Sequence, residues 1–271
     1  MSAGTPTAEV AVIGGSGFYS FLDDVEEVEV ETPYGAPSAP IALGEVAGRR
    51  VAFVPRHGKD HRYPPHVIPF RANAWALRSL GVRQVLAPCA VGGLRPEVEP
   101  GDLVVPDQLV DRTFRRIGSF VEHGGCHLPF ADPYCAGVSA ALAGAADDVK
   151  QGGTMVVIEG PRFSTRAESR NFAEEGWTLV NMTGAPEAAL AREMRTCYAP
   201  IALVTDMDAG AETGGGVSQD EVFALFKQNL DRLTGLLEQA ITALPDPDGC
   251  SCSTWADGME LTYDVPALPG S

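Results

Sequence analysis

Residues 178–210, TLVNMTGAPEAALAREMRTCYAPIALVTDMDAG, constrain the fold of this chain more than any other stretch. A short apolar run enters Asn181-Met182-Thr183-Gly184, after which Ala188, Ala189, Leu190 and Met194 recur at three- and four-residue spacing, the period of a helix with one buried face. A second apolar run, Ile201 to Val204, ends in Thr205-Asp206-Met207-Asp208. The order strand, helix, strand predicts a βαβ unit of a parallel sheet. Ligands of such sheets bind beyond the carboxyl ends of the strands, where Met182-Thr183 and Asp206-x-Asp208 fall. With no histidine cluster beside them, the two carboxylates suit acceptors for N–H donors or a proton donor to a ligand.

Further strands are expected at Glu9–Ile13, entering Gly14-Gly15-Ser16-Gly17-Phe18; at Arg50–Val54, ending in Pro55-Arg56-His57-Gly58; and at Gln84–Ala87, opening into a loop at 88–93. Leu103–Pro106 and Thr154–Ile158 read as strands too, the latter running into Glu159-Gly160-Pro161-Arg162-Phe163-Ser164. Residues 59–69 read as a loop, Ala72, Trp75, Ala76 and Leu80 as the inner face of a helix, and Glu221–Leu244 as a closing helix. At 271 residues and 45% hydrophobic content, with no linker, the chain is expected to be α/β: a single domain over 8–245 with a central mixed, largely parallel twisted β-sheet flanked by helices. Residues 246–271, rich in Pro, Gly and Asp, are expected to form an irregular tail.

A net charge of −16 argues against nucleic acid as a partner, since a phosphate backbone needs a basic face. It does not argue against a small anion met by a few converging donors. The opening MSAGTPTAEVAV has neither a basic n-region nor a long apolar core, and no apolar run reaches the length of a membrane span. A cytoplasmic protein without membrane association is expected. The six cysteines show no C-x-x-C spacing for zinc. Cys250-x-Cys252 is either a redox pair or two unpaired surface or tail thiols, and the second is the expectation.

The glycine loop at 14–17 fails as a dinucleotide fingerprint, because Ser20 stands where the third glycine belongs. It fails as a nucleophile elbow, because Phe18 stands where that motif has glycine. It remains an ordinary tight turn, or a cradle in which backbone N–H groups and Ser16 hold an oxyanion. Arg56-His57 after the second strand offers a fork for bidentate phosphate bonding and a tunable donor. Alone the pair would be a solvated arginine and a loop histidine. With Ser16, Cys89-Ala90 and Thr183 at three other strand ends, the loops read together as one oxyanion site.

GGSGF, PRHG, CAVGGL, EPGDLVVPDQLVDRT, IEGPRFSTRAES, NMTGAPE and VTDMDAG occur in this order from Val10 to about Leu237. In this the chain resembles the S-methyl-5′-thioadenosine phosphorylases of the trimeric purine nucleoside phosphorylase branch. The resemblance implies a nucleoside phosphorylase-like fold and phosphorolysis of methylthioadenosine to adenine and 5-methylthioribose 1-phosphate, in purine and methionine salvage. It implies a homotrimer, phosphate as co-substrate, and neither metal nor organic cofactor. It places phosphate on Ser16, Arg56, His57, Cys89, Ala90 and Thr183, and the ribose against Met182. The base would meet Phe163, with Asp206 facing N7 and Asp208 the exocyclic amine, Met207 between them. His127 would reach a neighbouring subunit's 5′ pocket, Val222 and Phe223 would line the methylthio end, and Ser164 and Gln219 would tune substrate choice. Cys89 stands where some members carry Thr, and Gln219 where several are apolar.

The residues make chemical sense without the family. Cleaving a purine nucleoside puts negative charge on the base and positive charge on the ribose. A carboxylic acid can protonate N7 only if its pKa is raised, as burial beside a second carboxylate would do. Asp206 beside Asp208 suits that task, and Asp208 accepts from a 6-amino group where a 6-oxopurine enzyme would use Asn. A solvated turn or a metal site are the other uses of such a pair. Rival functions are a nucleosidase using water, a phosphorylase for another 5′-substituted adenosine (a 5′-halo compound, or adenosine itself), a general purine nucleoside phosphorylase, and a non-catalytic purine-binding protein.

Overall fold

Runs of β-branched and aliphatic residues become strands with both faces covered, and periodic segments become helices that cover them. In the computed structural model, residues 7–15, 18, 21–22, 24–211 and 217–269 are described, so Ser16 lies outside the described residues. The order is β1 (Val10–Gly14), β2 (Glu26–Val28), β3 (Ile41–Val46), β4 (Arg49–Pro55), α1 (Phe70–Ser79), β5 (Gln84–Gly93), β6 (Leu103–Val105) and β7 (Gln108–Arg112). There follow α2 (Ala136–Ala143), β8 (Lys150–Gln151), β9 (Thr154–Ile158), α3 (Arg166–Glu174), β10 (Leu179–Asn181), α4 (Gly184–Glu193) and β11 (Cys197–Asp206). The chain ends with α5 (Asp208–Ala211), α6 (Gln219–Gln228), α7 (Leu230–Ala243) and α8 (Ser251–Thr254).

All strands join one mixed sheet with β5 at its centre. β1 lies parallel between β4 and β5, and β11 runs parallel to β5 over its whole length. β9 is parallel to β7 and β10, whereas β2–β3, β3–β4, β6–β11 and β5–β10 are antiparallel. Cys197 to Thr205 is buried without interruption, because α4 and β5 meet β11 on one side and α2 and α6 on others. Each fully buried aliphatic side chain there contributes roughly 1.5–3 kcal/mol relative to exposure.

Four sequence expectations change. The unit 178–206 is not a parallel βαβ: β10 and β11 flank β5, and β10 runs antiparallel to it. The expected loop at 88–93 is strand, because β5 continues to pair with β11 and then, through Gly92 and Gly93, with β10. The closing helix is two helices broken at Asn229, whose side-chain amide donates to the Leu225 carbonyl (3.0 Å). The tail cysteines are unpaired, as expected, but do not lie at the surface: Cys252 is buried and Cys250 half-buried, because the tail folds back on the core. Trp255 donates to the Arg192 carbonyl (2.9 Å), Tyr263 to the Glu193 carbonyl (2.9 Å), and Arg195 to the Ser253 carbonyl (2.5 Å).

One feature of β5 prepares the site. On one edge it pairs with β1 up to Leu86 and with β10 from Gly92, and between them no described strand covers that edge. Pro88, with no N–H to offer a ladder, stands in this gap.

Candidate active site

A cavity of about 260 Å³ opens at the gap, ringed by the ends of β1, β4, β9, β10 and β11 and by the start of α6. Of the residues singled out from sequence, Arg56, His57, Cys89, Ala90, Phe163, Ser164, Met182, Thr183, Asp206, Asp208, Gln219, Val222 and Phe223 all line it. Met207 and His127 do not. The Met207 sulfur packs against Gly93, 2.8 Å from where a Cβ on that glycine would stand. His127 is exposed on the long connection between β7 and α2.

At one pole the groups are held by the protein itself. Arg56, 1% exposed, gives its Nε and Nη2 to the two oxygens of Glu187 on α4 (2.7 and 2.8 Å) and Nη1 to the Pro88 carbonyl (3.1 Å). The fork expected to grip phosphate is therefore spent on Glu187, and the guanidinium has one further N–H on each of Nη1 and Nη2. Burial opposes its charge, but Glu187 outweighs burial and holds the guanidinium above its ordinary pKa. Tyr198 donates to the same carboxylate (2.8 Å). Gly15 is required here by close approach: a Cβ would stand 2.8 Å from the Pro88 carbonyl and 3.2 Å from Arg56 Nη1.

His57 donates from Nδ1 to the Tyr63 carbonyl (2.8 Å) and stacks on His61 at 4.2 Å. Burial first, then the charges of Arg56 and His61, push its pKa down to about 3. The ring is neutral at pH 7 with Nδ1 protonated, so Nε2 is an acceptor rather than the expected donor. Burial raises the Cys89 thiol to about 12, which leaves it uncharged and the neighbouring backbone as the stronger anion contact. Thr183 reaches the cavity because Asn181 accepts from the N–H groups of Thr183 and Gly184 (2.7 Å each) while donating to the Ala90 carbonyl (3.0 Å).

The opposite pole is left unsatisfied. Thr205 is an extra residue between Val204 and Asp206 in the pairing of β11 with β5, and such a bulge re-aims the side chain that follows. Asp206 accepts from Thr205 Oγ1 and from the Asp208 N–H (2.9 Å each). Burial, then the charges of Asp208 and Glu221, raises its pKa above the usual carboxylate range. Asp208 is 7% exposed, carries a positive φ of 41°, and its Oδ2 has no hydrogen-bond partner among the described residues. Ser164 Oγ is likewise buried without a partner among them. Buried polar atoms of this kind mark places where a ligand completes the bonding. A Cβ on Gly92 would stand 3.0 Å from Asp206 Oδ1 and from Val180 Cγ1, so a side chain here would press on the carboxylate.

Phe163, 37% exposed, is held beside this pole by the capping box that starts α3: Thr165 accepts from the Glu168 N–H, and the Glu168 carboxylate from the Thr165 N–H. Gln219, Val222 and Phe223 form one face of α6 at i, i+3 and i+4, with His61 edge-on to Phe223 at 5.6 Å. Sequence reasoning missed Glu187, His61, Asn181 and Thr205. Glu187 and Asn181 had a signal in the NMTGAPE motif and Thr205 in VTDMDAG; the role of each, and of His61, rests on contacts that only folding creates.

Residues 9–242 match the model of the phosphorylase superfamily. The chain belongs to that superfamily. It is 57% identical to a purine nucleoside phosphorylase of Streptomyces coelicolor, over 96% of this chain and 98% of that protein. It is 56% identical to an S-methyl-5′-thioadenosine phosphorylase of Mycolicibacterium smegmatis, over 95% and 99%. A methylthioadenosine phosphorylase from an Antarctic soil metagenomic library has the same fold, with a TM-score of 0.85 at 40% identity over 92% of this chain and 90% of that one.

Proposed function

We propose that this protein cleaves S-methyl-5′-thioadenosine with phosphate, giving adenine and 5-methylthioribose 1-phosphate. One observation carries the reading. A raised, buried Asp206 beside an unpartnered Asp208 shares one cavity with the Arg56–His57 pole and the apolar face of α6.

Phosphate lies against the open edge of β5, taking the remaining N–H groups of Arg56, the Thr183 hydroxyl and backbone N–H groups; Ser16, outside the described residues, is proposed as a further contact on the strength of the family resemblance alone. His57 Nε2, unprotonated, accepts a hydrogen bond from the P–OH of the phosphate dianion and holds it beside C1′. The base sits between Phe163 and the Asp206–Asp208 pole with the ribose on Met182. As the C1′–N9 bond breaks, its electron pair passes into the purine, Asp206 gives its proton to N7, and phosphate bonds to C1′. Asp208 Oδ2 accepts from the 6-amino group and so gains the partner it lacks within the protein. Val222 and Phe223 receive the methylthio group, and Ser164 and Gln219 border it.

In the same reading the reaction needs no metal or organic cofactor, residues 8–245 form the catalytic domain and 246–271 a tail, and the enzyme works in the cytoplasm as a homotrimer. His127, exposed and away from its own cavity, is the residue that would enter a neighbour's. No helix among the described residues is long and apolar enough to cross a membrane. A second reading, a general purine nucleoside phosphorylase, is favoured by the name of the Streptomyces relative. The test is adenine and hypoxanthine release from methylthioadenosine, adenosine, inosine and methylthioinosine, with and without phosphate. Phosphate-independent release would indicate a nucleosidase, and inosine cleaved faster than methylthioadenosine would favour the second reading. Light scattering on wild type and His127→Ala tests the trimer; a fully active monomer contradicts it.

A further inference from the structure

At the far end of β11 from Asp206, four cysteines converge. Cys197 is the first residue of β11, Cys135 immediately precedes α2, and Cys250 and Cys252 flank the start of α8 in the tail. Their sulfurs all lie within 4.8 Å of one another, and none is bonded to another. Cys135 and Cys250 are 3.8 Å apart at sulfur. A tetrahedral ion with Zn–S bonds of ~2.3 Å has S···S edges of ~3.8 Å. Two disulfides would instead draw the sulfurs into separate pairs at ~2.05 Å. Mutual proximity of all four is the pattern of tetrahedron corners.

We propose that Cys135, Cys197, Cys250 and Cys252 form a structural site for one zinc ion. Four sulfur ligands leave no open position, which is the form of a structural rather than a catalytic site. Binding releases the four thiol protons to solvent and leaves a doubly negative tetrathiolate centre. Spacing hides the site in the sequence: C-x-C is too short for a zinc knuckle, and its two partners lie on different elements. The ion would fasten the tail to the core. Through Tyr263, stacked on Phe120 at 5.9 Å, the tail in turn steadies the connection that carries His127. The ten residues of β11, Cys197–Asp206, put the site roughly 30 Å from the acid at strand rise.

The test is elemental analysis of untagged protein purified under reducing conditions, with thiol counting before and after denaturation. About one zinc per chain is expected, with the four cluster thiols reacting only after denaturation or chelation. Cys250→Ser should lose the metal and lower Tm, while kcat/KM stays within about twofold, as for distant, weakly coupled sites. Cys126→Ser, outside the cluster, should keep it. Cobalt added to the chelator-stripped protein should give the thiolate charge-transfer and d–d bands of tetrahedral Co²⁺. Less than a tenth of an equivalent of zinc together with no cobalt spectrum overturns the proposal. So do mass-mapped disulfides among the four cysteines in the freshly isolated protein, or zinc retained by Cys250→Ser.

Discussion

The two poles of the cavity are built on opposite principles. Arg56 and His57 have their main bonds made inside the protein, to Glu187, the Pro88 carbonyl and the Tyr63 carbonyl. Asp208 and Ser164 carry buried polar atoms without partners among the described residues, and Asp208 has a left-handed backbone. The difference separates holding from reacting. An anion-binding pole gains from groups fixed before the ligand arrives, since no reorganisation is then needed. The base pole keeps its unsatisfied acceptor and its raised acid for atoms that only the nucleoside supplies. Substitutions at the first pole should therefore weaken the fold and phosphate binding together. Those at the second should cost turnover with little loss of stability.

The largest effect is expected at Asp206. Asp206→Asn cannot protonate N7, so kcat/KM for methylthioadenosine should fall by ~10²–10⁴-fold while Tm holds or rises. Cleavage of 6-amino over 6-oxo substrates, at least ~10-fold in the unmodified protein, should narrow. A loss under tenfold would remove Asp206 from the acid role. Next is Glu187→Ala, which strands the buried Arg56 charge and should cost ~3–5 kcal/mol in denaturant unfolding, with a raised KM for phosphate. An unchanged midpoint would show that the ion pair is not the support described.

Asp208→Asn should sharpen the contrast by stabilising what it disables. Removing one carboxylate from the pair relieves repulsion, for a gain of about 0.5–2 kcal/mol in stability. Preference should shift toward 6-oxopurines. Asp208's charge is also one of the causes raising Asp206, so the alkaline fall in kcat/KM should move to lower pH. In the unmodified protein that fall follows because Asp206 donates only while protonated: activity drops as pH rises through its raised pKa. Equal profiles for the two proteins would break the coupling.

At the phosphate pole the pH effect has the opposite source. The His57 pKa is about 3 in the fold against 6.5 ordinarily, so the unfolded chain binds the extra proton first. Its contribution is complete above pH 6.5 and is lost as pH falls toward 3. Chemical denaturation between about pH 7 and pH 4 should show a steeper loss for the wild type than for His57→Gln. Parallel slopes would contradict a buried neutral ring. The smallest effect is expected at Gln219: Gln219→Leu should favour the methylthio group over a 5′-hydroxyl by up to ~10-fold in relative kcat/KM, as one polar contact allows. No change would place the side chain outside the 5′ end.

Much of the cavity lining was legible because most of the motifs follow strand ends, which converge in one sheet whatever their distance along the chain; Cys89 and Ala90 instead lie within β5, and Gln219, Val222 and Phe223 come from α6. The geometry within the cavity was not. Nothing in PRHG tells that Arg56 gives its fork to Glu187, 131 residues away, or that His57 is an acceptor. The bulge at Thr205 adds one residue without any compositional mark. Met207 sits between two carboxylates that line the site, yet its sulfur packs against Gly93 instead, where the chain turns from β11 into α5.

What the sequence determined by itself was local: which runs are apolar and periodic, where glycine breaks them, and which acids, cations and hydroxyls follow each strand. Hydrophobic period and turn chemistry are properties of neighbouring residues, so they survive reading in one dimension. Only the tertiary structure decided that β10 runs against β5, that Arg56 is neutralised from α4, and that a tail of Pro, Gly and Asp brings two cysteines to two others. Those outcomes depend on through-space distance, on burial that removes water from a charge, and on which partner is nearest once it is gone. None of these is carried by spacing along the chain.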